Sequence, residues 1–322
     1  MRIVFLGTSS FAVPSLRELG RDPSVLPVLV VTQPDRPRGR GQRCGPGPIK
    51  QEAIRLSIPF LQPERINDSE SVEAIRTVRP DMLVVVAYGQ LLGRDLLDLA
   101  PGGAVNLHAS LLPCYRGAAP VYWALLRGED RTGVCTMYMT EELDAGDVIQ
   151  AEEVGIPAGA NRLELEALLA ERGAFLLAKT LQAIRSNAAS RTRQEEDRVT
   201  WAPAIGSKER WIDWSENGRE VVNRIRAMAP VPGALTRAGE TVFQITKAHY
   251  LPELPDPPEG GPGWENGCVV RADARKGLFV RVPDGYVQIE QLKAPGKREM
   301  TARDFLNGQR LSNGTVFEKG EC

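Results

Sequence analysis

The sequence contains few of the residues from which metal sites are built. It has two histidines, and its five cysteines are scattered singly without a Cys-x-x-Cys pair. Because zinc sites use closely spaced cysteine and histidine ligands, the sequence predicts no metal. Isolated cysteines in an odd number are typical of a reducing compartment, so we expect a cytoplasmic protein.

Long hydrophobic runs are also absent. No apolar stretch approaches the roughly 20 residues that a membrane-spanning helix requires, and the chain passes from Met1 directly into an apolar strand pattern. We therefore expect no membrane segment and no secretory signal peptide. Gly7-Thr-Ser-Ser follows this strand without the glycine spacing of a dinucleotide-binding fingerprint, which favours a tight strand-to-helix turn.

An excess of positive charge is missing as well, since the net charge of the 322 residues is −1. This excludes a uniformly basic nucleic-acid binder. Positive charge is instead concentrated between residues 36 and 51, a stretch without acidic residues whose arginines are Arg36, Arg38, Arg40 and Arg43. Its many glycines and prolines predict a loop with no ordered element in the absence of a partner. Taken alone, such a stretch is most often a solvated loop.

The first half of the chain alternates strand and helix patterns. Apolar strands are predicted at residues 3–6, 28–32, 82–87 and 102–107. Strands separated by helices form βαβ units, so we predict an α/β fold, a doubly wound and mostly parallel sheet within residues 1–189. Residues 190–206 are polar without apolar periodicity and indicate a linker. Short strands between Gly, Pro and Asp turns then predict a small OB-like β-barrel over residues 207–322.

Polar side chains suited to acyl transfer surround the fourth predicted strand. Asn106 and His108 close this strand on the same face, roughly 6.6 Å apart. Side chains at the carboxyl ends of strands in an open α/β sheet lie where ligands bind. A glycine- and proline-rich loop from Ser110 to Pro120 follows, and Asp144 comes 36 residues after His108. Each residue also has an ordinary structural interpretation, as a satisfied polar pair or as a turn residue.

Four motifs around these residues resemble the signature of the folate-dependent formyltransferases. They are Asn106-Leu-His108, Ser110-Leu-Leu-Pro113, Tyr115-Arg-Gly-Ala-Ala-Pro120 and Leu143-Asp-Ala-Gly-Asp147. The likeness extends over almost the whole chain, including the first strand and Ile212-Asp-Trp-Ser215. Gln33-Pro-Asp-Arg-Pro37 with its arginine-rich continuation, and the second domain, are similar to members that act on an aminoacyl-tRNA.

The resemblance implies transfer of a formyl group from 10-formyltetrahydrofolate to the α-amino group of initiator methionyl-tRNA. Asn106 would donate a hydrogen bond to the formyl oxygen. His108 would donate as a second partner or shuttle a proton, and Asp144 would orient His108 or take a proton from the attacking amine. No metal and no covalent enzyme intermediate are required, and a monomer is expected.

The resemblance also implies where the two substrates bind. Folate would be held mainly by backbone groups in two segments, Tyr88, Gly89, Gln90 and Leu91 in the first and Ser110, Leu111, Leu112 and Pro113 in the second. The tRNA would contact Arg36, Arg38, Arg40 and Arg43, with Arg40 as the first choice. Basic side chains of the second domain, such as Arg271 and Arg281, would add electrostatic contacts.

Departures from the family pattern occur at Gly93, Cys114, Glu142 and Ala145. They affect local loop shape and acceptor contacts, not the reaction class. Three alternatives stay open at this point. The chain could formylate a sugar nucleotide or a purine-pathway amine, it could hydrolyse formyltetrahydrofolate, or it could be a non-catalytic RNA-binding protein with a degenerate pocket.

Overall fold

The computed structural model describes residues 1–38, 43–254, 263–308 and 311–320. The chain divides into two compact units, each assembled from three stretches. Unit 1 comprises Met1–Pro120, Arg131–Gly155 and Glu166–Ala202, and unit 2 comprises Val121–Asp130, Ile156–Leu165 and Pro203–Cys322. Among the described residues, no helix combines the length and the apolar character needed to cross a membrane.

Unit 1 contains a seven-stranded sheet in the order β5-β2-β1-β6-β7-β8-β9. Its strands are β1 (Arg2–Gly7), β2 (Leu26–Val31), β5 (Phe60–Leu61), β6 (Met82–Val86), β7 (Ala104–His108), β8 (Arg131–Tyr138) and β9 (Val148–Gly155). The strands from β5 to β7 pair in parallel, and β8 and β9 are added antiparallel. Every residue of β6 is buried, as expected for a strand covered on both faces. The predicted mostly parallel α/β sheet is confirmed.

The helices of the chain's first two thirds follow the predicted alternation. They are α1 (Val13–Leu19), α2 (Pro48–Arg55), α3 (Ser69–Thr77), α4 (Arg94–Leu97), α5 (Pro120–Leu126) and α6 (Arg162–Arg185). Asp68 caps α3, because its carboxylate accepts a hydrogen bond from the Ser71 amide at 2.7 Å. Gly173 of α6 lies close to Leu107 of β7. A Cβ added to Gly173 would come within 2.7 Å of the Cδ2 atom of Leu107. Leu107 therefore faces α6, and its neighbours Asn106 and His108 face the opposite side of the sheet.

The arginine-rich segment corrects one expectation from composition. Its described flanks form two short strands, β3 (Pro37–Arg38) and β4 (Arg43–Cys44), which pair antiparallel with Arg38 opposite Arg43. The prediction that no ordered element forms without a partner is therefore wrong for these flanks and for residues 48–51, which begin α2. Asp35 stabilises the base of the pair, since its carboxylate accepts hydrogen bonds from the Gly47 amide and from Lys50.

Unit 2 contains a separate antiparallel sheet in the order β10-β11-β14-β13-β12, with β15 paired to β14. The strands are β10 (Ala234–Ala238), β11 (Thr241–Leu251), β12 (Val269–Asp273), β13 (Gly277–Val282), β14 (Gly285–Lys293) and β15 (Met300–Thr301). Helix α7 (Gly218–Met228) starts at a capping box of Asn217 and Glu220, and α8 (Ala302–Gly308) follows β15. The aromatic rings of Trp214, Phe243, Phe305 and Phe317 pack together at centroid distances of 5.7 to 5.9 Å.

Residues 314–318 contact both edges of this antiparallel sheet. On the β12 side, the Val269 amide donates to the Thr315 carbonyl at 2.7 Å. On the β10 side, Arg237 and Glu318 exchange two backbone hydrogen bonds of 3.0 and 2.8 Å. A single short segment thus satisfies backbone groups on both edge strands.

Candidate functional site

Strand β7 presents Asn106 and His108 on the face of the sheet opposite α6. Asn106 is half-buried, and among the described residues its side-chain amide has no hydrogen-bond partner. It is also not among the described side chains that are both buried and unsatisfied. The amide is therefore accessible and can donate to a bound group without breaking an existing hydrogen bond.

His108 is almost fully buried, at 6% exposure, and its ring is oriented by a backbone carbonyl. The Nε2 atom lies 2.9 Å from the carbonyl oxygen of Tyr115. A carbonyl oxygen only accepts, so Nε2 carries the hydrogen and donates it. In the neutral ring Nδ1 is then the basic nitrogen. This nitrogen lies 3.7 Å from Oδ2 of Asp144, so a proton gained at Nδ1 would face a carboxylate.

Asp144 lies in the loop between β8 and β9 and is held there by backbone groups. Its φ is +52°, in the left-handed region that aspartate tolerates better than most residues. Its Oδ2 atom accepts a hydrogen bond of 2.8 Å from the amide of Gly117, whose own φ is +124°. Two residues later the loop passes so close to the carbonyl of Tyr138 that Gly146 leaves no space for a Cβ. The carboxylate is thus fixed beside His108.

Residues 190–202 supply contacts to this site that the sequence does not predict. The side chain of Gln194 is buried, and its Nε2 atom donates to the carbonyls of Asp144 and Gly146, both at 2.8 Å. The Oγ1 atom of Thr200 accepts from the Tyr115 amide at 2.8 Å, next to the carbonyl that orients His108. A polar composition predicts a linker here. Composition does not show, however, which polar side chains are solvated and which hydrogen-bond to buried backbone groups.

Arg116 connects Gln194 to the surface. Its guanidinium is 4% exposed; its Nε atom donates to Oε1 of Gln194 at 3.0 Å, and Nη2 lies 2.9 Å from Oε1 of Glu196. Hydrogen bonding to Arg116 holds the pKa of the Glu196 carboxyl below its usual range. A buried arginine requires such partners. An arginine within the run Arg116-Gly-Ala-Ala-Pro120 is the one sequence signal for this network.

The thiol of Cys135, next to His108 in the sheet, is not a nucleophile. Cys135 on β8 pairs with His108 on β7 and is fully buried. Burial, with a smaller contribution from the Asp144 charge, raises the pKa of its thiol to about 12. The thiol therefore stays protonated and poorly reactive at neutral pH.

The two segments predicted to bind folate follow the neighbouring parallel strands β6 and β7. In the first segment the Tyr88 side chain is buried in the core, and burial raises the pKa of its hydroxyl. The Gln90 side chain accepts from the Ile66 amide at 2.9 Å, whereas Leu91 is 69% exposed. The Tyr88 carbonyl already accepts from Thr8 Oγ1 and Gln33 Nε2, so backbone groups of Gly89 and Gln90 are the ones left to meet a ligand.

In the second segment, two side chains support the loop itself. Ser110 donates from its hydroxyl to the Cys114 carbonyl at 2.6 Å. Leu111 packs against Gly133 of β8, whose Cβ would come within 2.5 Å of the leucine. Leu112 and Pro113 are half-buried. Contact with a ligand at Ser110 and Leu111 would again fall mainly to backbone groups.

The predicted tRNA contacts are only partly described. Arg36 is exposed, and the backbones of Arg38 and Arg43 lie on β3 and β4. Arg40 lies outside the described residues. In unit 2, Arg281 donates to the carbonyls of Val282 and Gly285 at 2.6 and 2.7 Å, so its guanidinium supports the β13–β14 turn.

Together these groups offer what acyl transfer without a covalent enzyme intermediate requires. Asn106 offers an uncharged donor, His108 offers a basic nitrogen of fixed tautomer, and Asp144 offers a carboxylate beside that nitrogen. An uncharged donor such as Asn106 stabilises negative charge on an acyl oxygen. The imidazole can take a proton from an attacking amine and give it to a leaving amine. No group of metal-ligating side chains occurs within the described ranges.

Comparisons with known proteins give close matches over most of the chain. The profile of the family described as formyl transferase matches residues 1–181, and that of the formyl transferase C-terminal domain matches residues 204–310. The methionyl-tRNA formyltransferase of Moorella thermoacetica is 42% identical over 318 residues, which cover 98% of this chain and 99% of that protein. That of Halorhodospira halophila is 43% identical over 313 residues, covering 97% and 98%.

Solved structures with the same fold share far less sequence. One is the N-formyltransferase from Helicobacter canadensis in complex with folinic acid and dTDP-3-aminofucose. It has a TM-score of 0.64 and 16% identity, and the match covers 92% of this chain and 99% of that chain. At this identity the likeness establishes the fold alone.

Proposed function

Because the chain belongs to the formyl transferase family, among the methionyl-tRNA formyltransferases, we infer that its activity supports translation initiation. It transfers a formyl group from 10-formyltetrahydrofolate to the α-amino group of initiator methionyl-tRNA. The resulting N-formylmethionyl-tRNA is the product. The roles of individual residues below are proposals that follow from the geometry of the site.

Asn106 would stabilise the charge that develops during the attack. When the α-amine adds to the formyl carbon, a carbon–nitrogen bond forms and the formyl oxygen becomes negative. The unengaged amide of Asn106 can donate to that oxygen. Removal of one such donor typically lowers the rate by about 10²- to 10³-fold.

His108 and Asp144 would manage the proton that the amine must lose. The basic Nδ1 atom accepts it, and the carboxylate at 3.7 Å stabilises the imidazolium that results. Collapse of the tetrahedral intermediate breaks the bond between the formyl carbon and N10 of the folate. The imidazolium can then return its proton to N10, which leaves tetrahydrofolate, the formylated amine and the starting ring.

Substrate binding would be divided between two regions. Backbone groups of residues 88–91 and 110–113, at the ends of β6 and β7, suit the alternating donor and acceptor edge of a pterin. Arginines 36, 38, 40 and 43 would contact tRNA phosphates or unpaired bases.

We further propose a catalytic domain over residues 1–189, a linker over 190–206 and a tRNA-binding domain over 207–322. Closure of the second domain into a small OB-like barrel is supported by residues 314–318, which hydrogen-bond to both β10 and β12. We expect a monomer that acts in the cytoplasm, where initiator tRNA is charged and used.

The observation that carries this mechanism is the donation from His108 Nε2 to Tyr115, which leaves Nδ1 basic and facing Asp144. The test is incubation of the protein with methionyl-tRNA and 10-formyltetrahydrofolate labelled in the formyl group. We expect label in the aminoacyl ester. Release of labelled formate, or transfer to an amino-sugar nucleotide with none to methionyl-tRNA, would refute the proposed acceptor.

A further inference from the structure

The loop that carries Asp144 is held in an unfavourable backbone conformation by a residue from a distant part of the chain. The φ of Asp144 is +52°, and for a residue other than glycine this left-handed conformation is higher in free energy than the right-handed one. Gln194, 50 positions away in sequence, contacts the carbonyl of Asp144 itself and that of Gly146. Both carbonyls belong to the short turn whose shape decides where the Asp144 carboxylate points.

The hydrogen-bonding capacity of the Gln194 amide is matched closely to its surroundings. A side-chain amide has two N–H donors and one carbonyl acceptor. Nε2 contacts two carbonyl oxygens at 2.8 Å each, and Oε1 accepts from Nε of Arg116 at 3.0 Å. Gln194 is 6% exposed, so water does not readily replace these contacts.

We propose that Gln194 is a positioning residue for formyl transfer, acting on the reaction through Asp144. Its two N–H donors fix the turn of residues 144–146, and this turn places the carboxylate 3.7 Å from Nδ1 of His108. The inference rests on the proposed function, since it assigns Gln194 to the step in which His108 takes a proton.

The substitution Gln194→Glu separates this role from simple support of Arg116. An ionised glutamate has nearly the same shape, and it would keep the acceptor for Arg116 and strengthen that contact by its charge. It has no N–H donor, however, and would set a carboxylate oxygen against two carbonyl oxygens. A residue needed only by Arg116 would tolerate this change, whereas a positioning residue would not.

The experiment compares kcat and KM of wild type, Gln194→Glu and Gln194→Met, with Gln182→Glu as the control. Gln182 is exposed on α6, so its variant matches the chemical change away from the site. We expect kcat to fall about 100-fold in both Gln194 variants, because small misplacements of catalytic groups have effects of this size. KM for methionyl-tRNA should stay within about threefold of the wild-type value, since Gln194 does not touch any residue predicted to bind the tRNA.

A second measurement tests whether the effect passes through Asp144. In an Asp144→Asn background, single-turnover rates with enzyme in excess should show no further loss when Gln194→Glu is added. An equal further loss would overturn the inference, as would a kcat of Gln194→Glu within about threefold of wild type. A loss of kcat that only tracks the folded fraction, measured by thermal unfolding, would also overturn it. Failure of the wild-type chain to formylate methionyl-tRNA would refute the proposed function instead.

Discussion

Replacement of Asp144 by asparagine should remove most of the activity while leaving the site assembled. In the wild type, the Gly117 amide donates to Oδ2 of Asp144 at 2.8 Å, and asparagine keeps a side-chain oxygen that can accept this hydrogen bond. It removes the negative charge 3.7 Å from Nδ1 of His108. Because the same Oδ2 atom accepts from Gly117 and lies nearest Nδ1, the asparagine oxygen takes this place and faces Nδ1 without the charge of a carboxylate.

The size of the effect follows from the distance and the burial of the two groups. Coulomb's law with an effective dielectric constant of about 20 gives about 4 kcal/mol for unit charges at 3.7 Å. Because 1.36 kcal/mol corresponds to about tenfold in rate, the upper limit is about a thousandfold. The side chains of His108 and Asp144 are 7% and 10% exposed, so salt should screen this interaction only weakly.

The assay is single-turnover transfer of labelled formyl to methionyl-tRNA at low and high salt. Glu171→Gln is the matched control, because Glu171 is an exposed carboxylate on α6. We expect a loss of about 10²- to 10³-fold for Asp144→Asn at both salt concentrations and little change for Glu171→Gln. A rate for Asp144→Asn within a few-fold of wild type would refute the assigned role. So would a loss confined to KM for methionyl-tRNA.

Three further predictions concern other parts of the chain. Asn106→Ala should lower kcat by about 10²- to 10³-fold while tRNA affinity, measured by filter binding, is retained; equal loss of both would contradict an oxyanion role. Arg40→Glu should weaken tRNA binding and flatten its salt dependence while folate binding, followed by fluorescence, persists; unchanged tRNA affinity would exclude Arg40 as a contact. Glu52 has a pKa lowered from 4.5 to about 2, chiefly by its hydrogen bond to Arg55. Its contribution to the free energy of unfolding is therefore complete above about pH 5 and lost as the pH falls towards 2. Glu52→Gln should make acid unfolding less steep in that range. An unchanged pH profile of denaturant unfolding would contradict this.

The parts of the fold that depend on local patterns could be predicted from the sequence. Apolar runs such as Met82–Val86 form buried strands because few other structures cover such a run on both faces. The cap at Asp68 is also a local feature, since its carboxylate accepts from the Ser71 amide within the first turn of α3. Helix α8 lies where only short strands were predicted. Its short sequence carries weak periodicity, and tertiary contacts decide its structure.

The candidate site was predictable to different extents at its three main residues. The period of two along a strand places Asn106 and His108 on one face, and the structure shows that Leu107 between them faces α6. No such rule links His108 to Asp144, which is 36 residues later on a loop beyond an antiparallel strand. Their proximity depends on the Gly117 amide and on Gln194, neither of which has a local signal in the sequence.

Residues 190–202 belong to the proposed linker and also contact the site, which composition alone does not reveal. The two loops that contain Asp144 at φ +52° and Tyr115 at φ +62° have buried backbone groups that regular secondary structure does not satisfy. Gln194 and Thr200 satisfy them with side chains. Polar side chains are needed in this stretch because the irregular loops of the site have backbone groups that require hydrogen-bond partners. A polar stretch after α6 is therefore a place to look for residues that position the site, in addition to any role it has as a linker.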